Sequence, residues 1–442
     1  MSLRQRSLRG PRAAAAVTAL LALLSTPLTA EAAPTPPAQA PTPAVQARVS
    51  VPAQAPASAQ TSASAPPPVR ARTSPHQVVT WGASVDRQGE APRDRSYRMV
   101  VRTSAGGTGA RVRLSNAFGD RPVTFGSVHA GRRQEGARVV PGTNRALTFG
   151  GAGSVTVAPG ASVVSDPLSG RLAAGSDLAV SFHVLSAGGP STGHGMAMQT
   201  SYATAGDHAA EEGAESWTDR TGSWYYLDAV TVETGADTGA VVTLGDSITD
   251  GWQSSSDTNR RWPDYLARRL RATAGTEIKG VANEGISGNK VLADGAGQSA
   301  LNRLDRDVLS QPGVRTVFLF EGINDIKAHT GVTAGDLIAG YREIIDRAHT
   351  AGICVVGATV LPFKGWYEFD PEGEAVRQDV NDFIRNSGEL DAVADFDKAL
   401  RSPYDRERLL PALDGGDHVH PNDKGMQVMA DTVDIKTLSC DR

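Results

Sequence analysis

The hydrophobic period changes near the middle of the chain, and that change limits what it can fold into. From His76 to about Ala236 short alternating runs recur, among them "RMVVRTS", "ARVRLSNAF", "VTFGSVHAG", "DLAVSFHVL" and "WYYLDAVTVET". Turn signals such as "SAGGTG", "GDRP" and "PGTN" separate them about every ten residues, and no helical period of useful length intervenes. This half predicts an antiparallel β-sandwich or jelly roll. After Ala236, short apolar runs ("AVVTL", "IKGVAN", "VRTVFLF", "ICVVGATV", "AVADF") alternate with helix-like segments ("RRWPDYLARRLRATAG", "GQSALNRLDRDVLSQ", "TAGDLIAGYREIIDRAHTAG", "EGEAVRQDVNDFIRNS"). Such alternation implies right-handed crossovers and a mostly parallel sheet covered on both faces.

The N-terminal segment is not expected to belong to either half. Arg4, Arg6, Arg9 and Arg12 precede an apolar stretch that ends in "AEA" at Ala30–Ala32, the pattern of a secretory signal peptide over residues 1–32. A membrane anchor would need about 20 apolar residues without such a cleavage site, so no stable membrane insertion is expected. Residues 33–76 are rich in Pro, Ala and Ser without apolar periodicity and read as a disordered tether. The expected organisation is therefore signal peptide, tether, β-domain over 77–236 and α/β domain over 237–442, in a protein secreted to the extracellular space. Loss of residues 1–32 removes four arginines and one glutamate and takes the formal net charge from −4 to −7. With no basic run in the chain, a nucleic-acid partner has no electrostatic support. The two cysteines, Cys354 and Cys440, could form one disulfide after export; Cys354 also falls in a predicted buried strand where a free thiol packs well, and that packing favours the thiol.

In open parallel sheets the reactive groups sit on loops at the carboxyl ends of the strands. The first strand of the second half runs into "GDSITDGW", which puts Ser247 at such an end. Gly, Asp and Ser are also ordinary turn residues, so the tripeptide alone is uninformative. Three further loops change that: "VANEGISGNKV" carries Ser287 and Gly288, "FLFEGINDI" carries Gly322, Asn324 and Asp325, and "DGGDHVHPND" sets Asp417 three residues before His420. Ser247 needs a base within hydrogen-bond reach, His420 can supply it, and Asp417 can fix the imidazole tautomer.

In order, spacing and residue type, these blocks resemble the SGNH hydrolases, also called the GDSL-like lipase/esterase family, from Val241 to about Val433. The resemblance implies a flavodoxin-like three-layer domain, a Ser247–His420–Asp417 triad, and an oxyanion hole made by the N–H groups of Ser247 and Gly288 and the side-chain amide of Asn324. It implies no cofactor and no metal. The motif "LGDSITDGW" and the β-rich lead-in look most like a secreted acyl-esterase branch that includes xylan-associated enzymes. The expected activity is hydrolysis of short acyl esters, acetyl above all, on a small-molecule or polysaccharide substrate. A lipase or arylesterase is the alternative, and a carbohydrate-binding or cell-surface protein with a vestigial hydrolase domain is the alternative outside enzymes.

Asp246 and Asp325 read as structural acids that bond backbone N–H groups. Asp417 could instead be an N-cap before the last helix, and Pro421 suits that helix's first position. "GPSTG" at Gly189–Gly193 matches the G-x-S-x-G pattern, but its Pro and Gly neighbours within the β-rich half predict a loop, not a strand-to-helix elbow, and this excludes it as a nucleophile. His418 beside Asp417 fits no metalloenzyme spacing. Trp366 and Tyr367, in "LPFKGWYEF" after the fourth strand, are expected to touch substrate. Trp262 reads as core or cap, and Trp217, Trp224, Tyr225 and Tyr226 read as sandwich core in preference to a sugar-stacking face.

Overall fold

A computed structural model describes residues 76–91, 93–187 and 189–439. The signal-peptide segment, the Pro/Ala/Ser tract and Cys440 lie outside the described residues. The described residues fall within one compact unit.

Between His76 and Thr234 every strand pairing is antiparallel. One sheet contains the strands His76–Gly82, Leu227–Thr234 and Gly107–Ser115, and another is built around Arg95–Arg102, Asp177–Ser186 and Val123–Glu135. Alternating residues from both sheets meet in one apolar cluster, with Trp81, Val112 and Val230 from the first and Met99, Val128 and Val180 from the second. Trp224 and Tyr226 are fully buried in it, and Trp81 meets Trp224 edge-on at 4.9 Å, so these aromatics are core and not a sugar platform.

The second half is a five-stranded sheet in which all pairings are parallel. Its strands, in chain order, are Gly239–Gly245, Ile278–Gly285, Val314–Phe320, Cys354–Ala358 and Ala392–Ala394, and their spatial order is second, first, third, fourth, fifth. That is the flavodoxin-like order, whose switch point lies between the first and third strands. Separate apolar clusters lie on the two faces of the sheet, one under the helices Ala334–Thr350 and Pro371–Asn386, the other under Trp262–Ala272 and Asp423–Thr432. Trp262 opens its helix and is fully buried against Phe318 and Phe396. The helix expected around Ala300 is short: after Leu304 the chain widens into a π-turn over Asp305–Leu309, closed by a Ser310 N–H to Asp305 C=O bond of 3.0 Å. No helix among the described residues is long and apolar enough to cross a membrane.

The two halves share their packing. Val78 and Val79, on the first strand of the β-half, are buried in the core of the parallel sheet. Ser104 Oγ accepts from the Val281 N–H at 2.8 Å, and Ala83 bridges Asn283 on the otherwise open edge of the second parallel strand. The β-half thus caps an edge that would otherwise present unpaired backbone groups. Cys354 is disulfide-bonded, which corrects the expected free thiol: burial in a strand is equally compatible with either state of the sulfur.

Candidate active site

Ser247 follows the first parallel strand directly and begins a single helical turn, Ser247–Asp250. Asp246 caps that turn, accepting from the Ile248 N–H at 2.9 Å, while Gly251 closes it in the left-handed region at φ 108°. The hydroxyl is thereby held at the carboxyl rim, beside the switch point. Ser247 Oγ lies 2.7 Å from His420 Nε2, and His420 Nδ1 lies 2.8 Å from Asp417 Oδ2. If Nδ1–H donates to the carboxylate, Nε2 is left as an acceptor for the serine hydroxyl, which is the tautomer a general base requires.

Asp417 accepts more than the ring. Its Oδ1 takes the backbone N–H groups of His420 at 2.9 Å and Val419 at 3.1 Å, and Gln253 Nε2 reaches Oδ2 at 3.3 Å. Partial burial raises its pKa, but the bonds from the His420 ring and backbone and the imidazole charge outweigh it, holding the carboxyl well below the ordinary range. The N-cap of the last helix is Asn422, not Asp417, and Pro421 stands one residue ahead of the cap instead of at the first helical position. A bridge from Pro421 to Asp414 holds it in the turn.

Gly288 and Asn324 belong to the neighbouring loops. Gly288 has φ +81°, and a Cβ there would lie 3.0 Å from that of Ala296, so the turn suits glycine. Asn324 is buried in the turn after the third strand and donates one amide hydrogen to Asn289 C=O at 2.8 Å, tying its loop to the one carrying Gly288. Arg303, fully buried, fixes the strand ends beneath. It donates to Gly245 C=O at 3.0 Å, Glu284 C=O at 2.6 Å, Asn289 Oδ1 at 3.0 Å and Ser84 Oγ of the β-half at 2.8 Å.

The two other acids of these motifs bond backbone, as expected. Asp325 accepts from Val291 N–H at 2.9 Å and Leu292 N–H at 3.1 Å. Burial pushes the Asp246 carboxyl up to about 6, opposed by its Ile248 N–H bond and the charge of His420. Below them Glu321 is fully buried; desolvation and the nearby Asp246 and Asp325 raise its pKa well above normal, against the opposing charge of Arg303.

Two tryptophans stand edge-on to the imidazole, Trp366 at 6.1 Å and Trp252 at 6.5 Å between ring centroids. Tyr367 packs against Trp366 with its ring tilted by 42° and the centroids 4.7 Å apart, and it is 80% exposed, so it lies on the outer wall. Trp252, 47% exposed, stands five residues after Ser247 on the loop that leaves the Ser247–Asp250 turn. His418 pairs with Asp414 at 2.7 Å, apart from the Asp417–His420 pair. The "GPSTG" segment differs from expectation: Pro190–His194 is a strand, because its residues pair on both sides, with Asp86–Glu90 and with Trp224–Tyr225. Ser191 there is buried and donates to Gly89 C=O at 2.9 Å.

A parallel sheet with a hydroxyl, an imidazole and a carboxylate hydrogen-bonded in series at its carboxyl rim defines the class of α/β/α hydrolases. Residues 243–428 match the model of the GDSL-like Lipase/Acylhydrolase family and form a domain of that type, and the protein is a carboxylic ester hydrolase. Similar solved structures include the aryl esterase of M. smegmatis (17% identity over 46% of this chain and 100% of that one, TM-score 0.37). They also include the carbohydrate acetylesterase Est24 of Sinorhizobium meliloti (17%, 44% and 95%, TM-score 0.36). A third is the acetylxylan esterase Axe2 of Geobacillus stearothermophilus (22%, 46% and 95%, TM-score 0.35). No curated protein matches the chain.

Proposed function

We propose that the protein is a secreted serine esterase that removes short acyl groups, acetyl above all, from carbohydrate esters through an acyl-enzyme on Ser247. The observation that carries this reading is the series Ser247 Oγ, His420 Nε2 at 2.7 Å and, from Nδ1, Asp417 Oδ2 at 2.8 Å. Ser247 Oγ attacks the ester carbonyl carbon while its proton passes to His420 Nε2. The negative charge that develops on the carbonyl oxygen is met by the N–H groups of Ser247 and Gly288 and by the amide hydrogen of Asn324 not given to Asn289. Each such donor is worth about 3–4 kcal/mol of transition-state stabilisation. Collapse breaks the bond to the alcohol, which leaves with the proton from His420. Water then attacks the acyl-Ser247 ester, His420 takes its proton, and the acid departs as Ser247 recovers its hydrogen. Asp417 stays ionised throughout, favouring the imidazolium that forms twice per cycle.

The carbohydrate part of the reading rests on two exposed aromatic rings, Trp252 beside the base and Tyr367 on the outer wall against Trp366, since flat apolar rings with polar edges suit sugar faces. Secretion rests on the N-terminal pattern and is consistent with a disulfide at Cys354, which an oxidising compartment sustains. Ser247→Ala tests the central assignment: hydrolysis of p-nitrophenyl acetate is expected to fall by about 10³-fold or more, and an unchanged rate removes Ser247 from the chemistry. Release of acetate from acetylated xylan, compared with longer acyl esters, tests the substrate class.

A further inference from the structure

Asp250, the last residue of the nucleophile turn, is a carboxylate only 2% exposed, and the β-half supplies its partner. His194, at the end of the Pro190–His194 strand, is itself buried. Its Nε2 lies 2.9 Å from Asp250 Oδ1 and 2.9 Å from Met196 C=O, and its Nδ1 lies 2.9 Å from Ser84 C=O. Each of these three partners only accepts. A neutral imidazole offers one N–H and one lone pair, so in either tautomer a lone pair would face a carbonyl or carboxylate oxygen. Both nitrogens must therefore carry hydrogen. The other carboxylate oxygen, Asp250 Oδ2, accepts from Ser287 N–H at 3.0 Å and Ser287 Oγ–H at 2.8 Å. Ser287 immediately precedes Gly288.

We infer that His194 is a positioning residue of the esterase, an imidazolium from the β-half that fixes Asp250 and through it the Ser287–Gly288 segment of the oxyanion hole. The inference rests on the assignment of the Gly288 N–H as an oxyanion donor. Burial drives the imidazole towards its neutral form; the Asp250 charge and the acceptors on both nitrogens outweigh it, so the His194 pKa stands above the ordinary imidazole value. The other charged group near this pair is Arg261, over the Trp224 ring that flanks His194, and its guanidinium is already committed to Asp264 at 2.9 and 3.1 Å. Without His194, Asp250 is a buried carboxylate whose remaining nearby cation, Arg261, is hydrogen-bonded to Asp264 and not to it, so it must move or take up a proton. Either change loosens its hold on the Ser287 N–H. A displaced oxyanion donor slows the chemical step and leaves ground-state binding almost unchanged.

Full-length His194→Gln, Ser287→Ala and the double variant, assayed with p-nitrophenyl acetate beside wild type and Ser247→Ala, test the inference. His194→Gln is expected to lower kcat by about 10²-fold with KM within about twofold, while unfolding stays cooperative. The double variant is expected to lose no more than the worse single variant, as for residues that act as one unit. Should His194→Gln fail to fold, ¹⁵N NMR of wild type decides: the histidine ring in contact with Trp224 is expected to stay protonated on both nitrogens to higher pH than an ordinary imidazole, whose pKa is about 6.5. A folded His194→Gln variant with wild-type kcat, additive losses in the double variant, or a His194 ring that loses its second proton at or below the ordinary imidazole pKa of about 6.5 overturns the inference. A fully active His194→Gln beside an inactive Ser247→Ala removes only this coupling; an active Ser247→Ala removes the site assignment itself.

Discussion

At the scale of single residues, the account turns on what Asp417 does to His420. Asp417→Asn keeps the shape but allows the amide to donate where the ring must donate, favouring the wrong tautomer, and kcat is expected to fall about 10²–10⁴-fold with little change in KM. The same variant has a signature in stability. The carboxyl pKa is held below its unfolded value by its bonds to His420 and Val419. Its contribution is therefore complete above the unfolded pKa of about 3.9 and is lost as pH falls through the folded value. The gap in Tm between wild type and Asp417→Asn is expected to be constant from about pH 5 to 8 and to close as pH drops below about 4; a gap that widens in acid contradicts this. The spacing of Asp417, His420 and Ser247 was readable because short loops at strand ends restrict where side chains can point. For Trp252 the sequence indicates only a place on or near the rim loops; its approach to His420 depends on how those loops fold.

At the scale of elements, each apolar run in the second half became a parallel strand, because continuous β-branched and apolar residues suit a strand buried on both faces. Helix starts followed their capping residues. Thr333 and Asp336 form a reciprocal box at one helix, and Asp370 caps the next, with Pro371 following. The π-turn after Leu304 was illegible, since no local residue distinguishes it from an α-turn and Arg303 anchors it through partners distant in sequence. The strand at Pro190–His194 was hidden for the opposite reason: Pro and Gly discourage strand, and pairing on both sides overrides them. Trp262 joins two elements, its ring in the core against Phe318 and its Nε1–H on Thr249 Oγ1 at 3.3 Å beneath the nucleophile turn. Trp262→Ala is expected to cost about 3–5 kcal/mol, read by urea unfolding; a loss below about 1 kcal/mol would contradict its core assignment.

At the scale of the whole molecule, the change of hydrophobic period separates two fold types but does not reveal that they share a core. Val78 and Val79 belong to the first strand of the β-half, yet both are buried within the parallel-sheet cluster. Ser84 and Ser104 carry no signal beyond ordinary loop serines, yet they bond Glu284, Arg303 and Val281 across the junction. Residues 237–442 alone are therefore expected to be a poor substitute for the full chain. Loss of two buried valines removes about 3–6 kcal/mol of apolar burial, equivalent to a fall in Tm of about 10 °C or more for a domain of that size. Circular dichroism of the purified fragment checks this; a fragment that melts with the full-length protein shows that the halves are independent.

The central claim is that an ester's acyl group is transferred to Ser247. Treatment of the full-length protein with a fluorophosphonate, followed by peptide mass mapping, tests it most directly. The account predicts one adduct, on the peptide that contains Ser247, growing in step with the loss of p-nitrophenyl acetate hydrolysis. Complete inactivation with the adduct on another residue, or undiminished turnover with Ser247 fully modified, would contradict it.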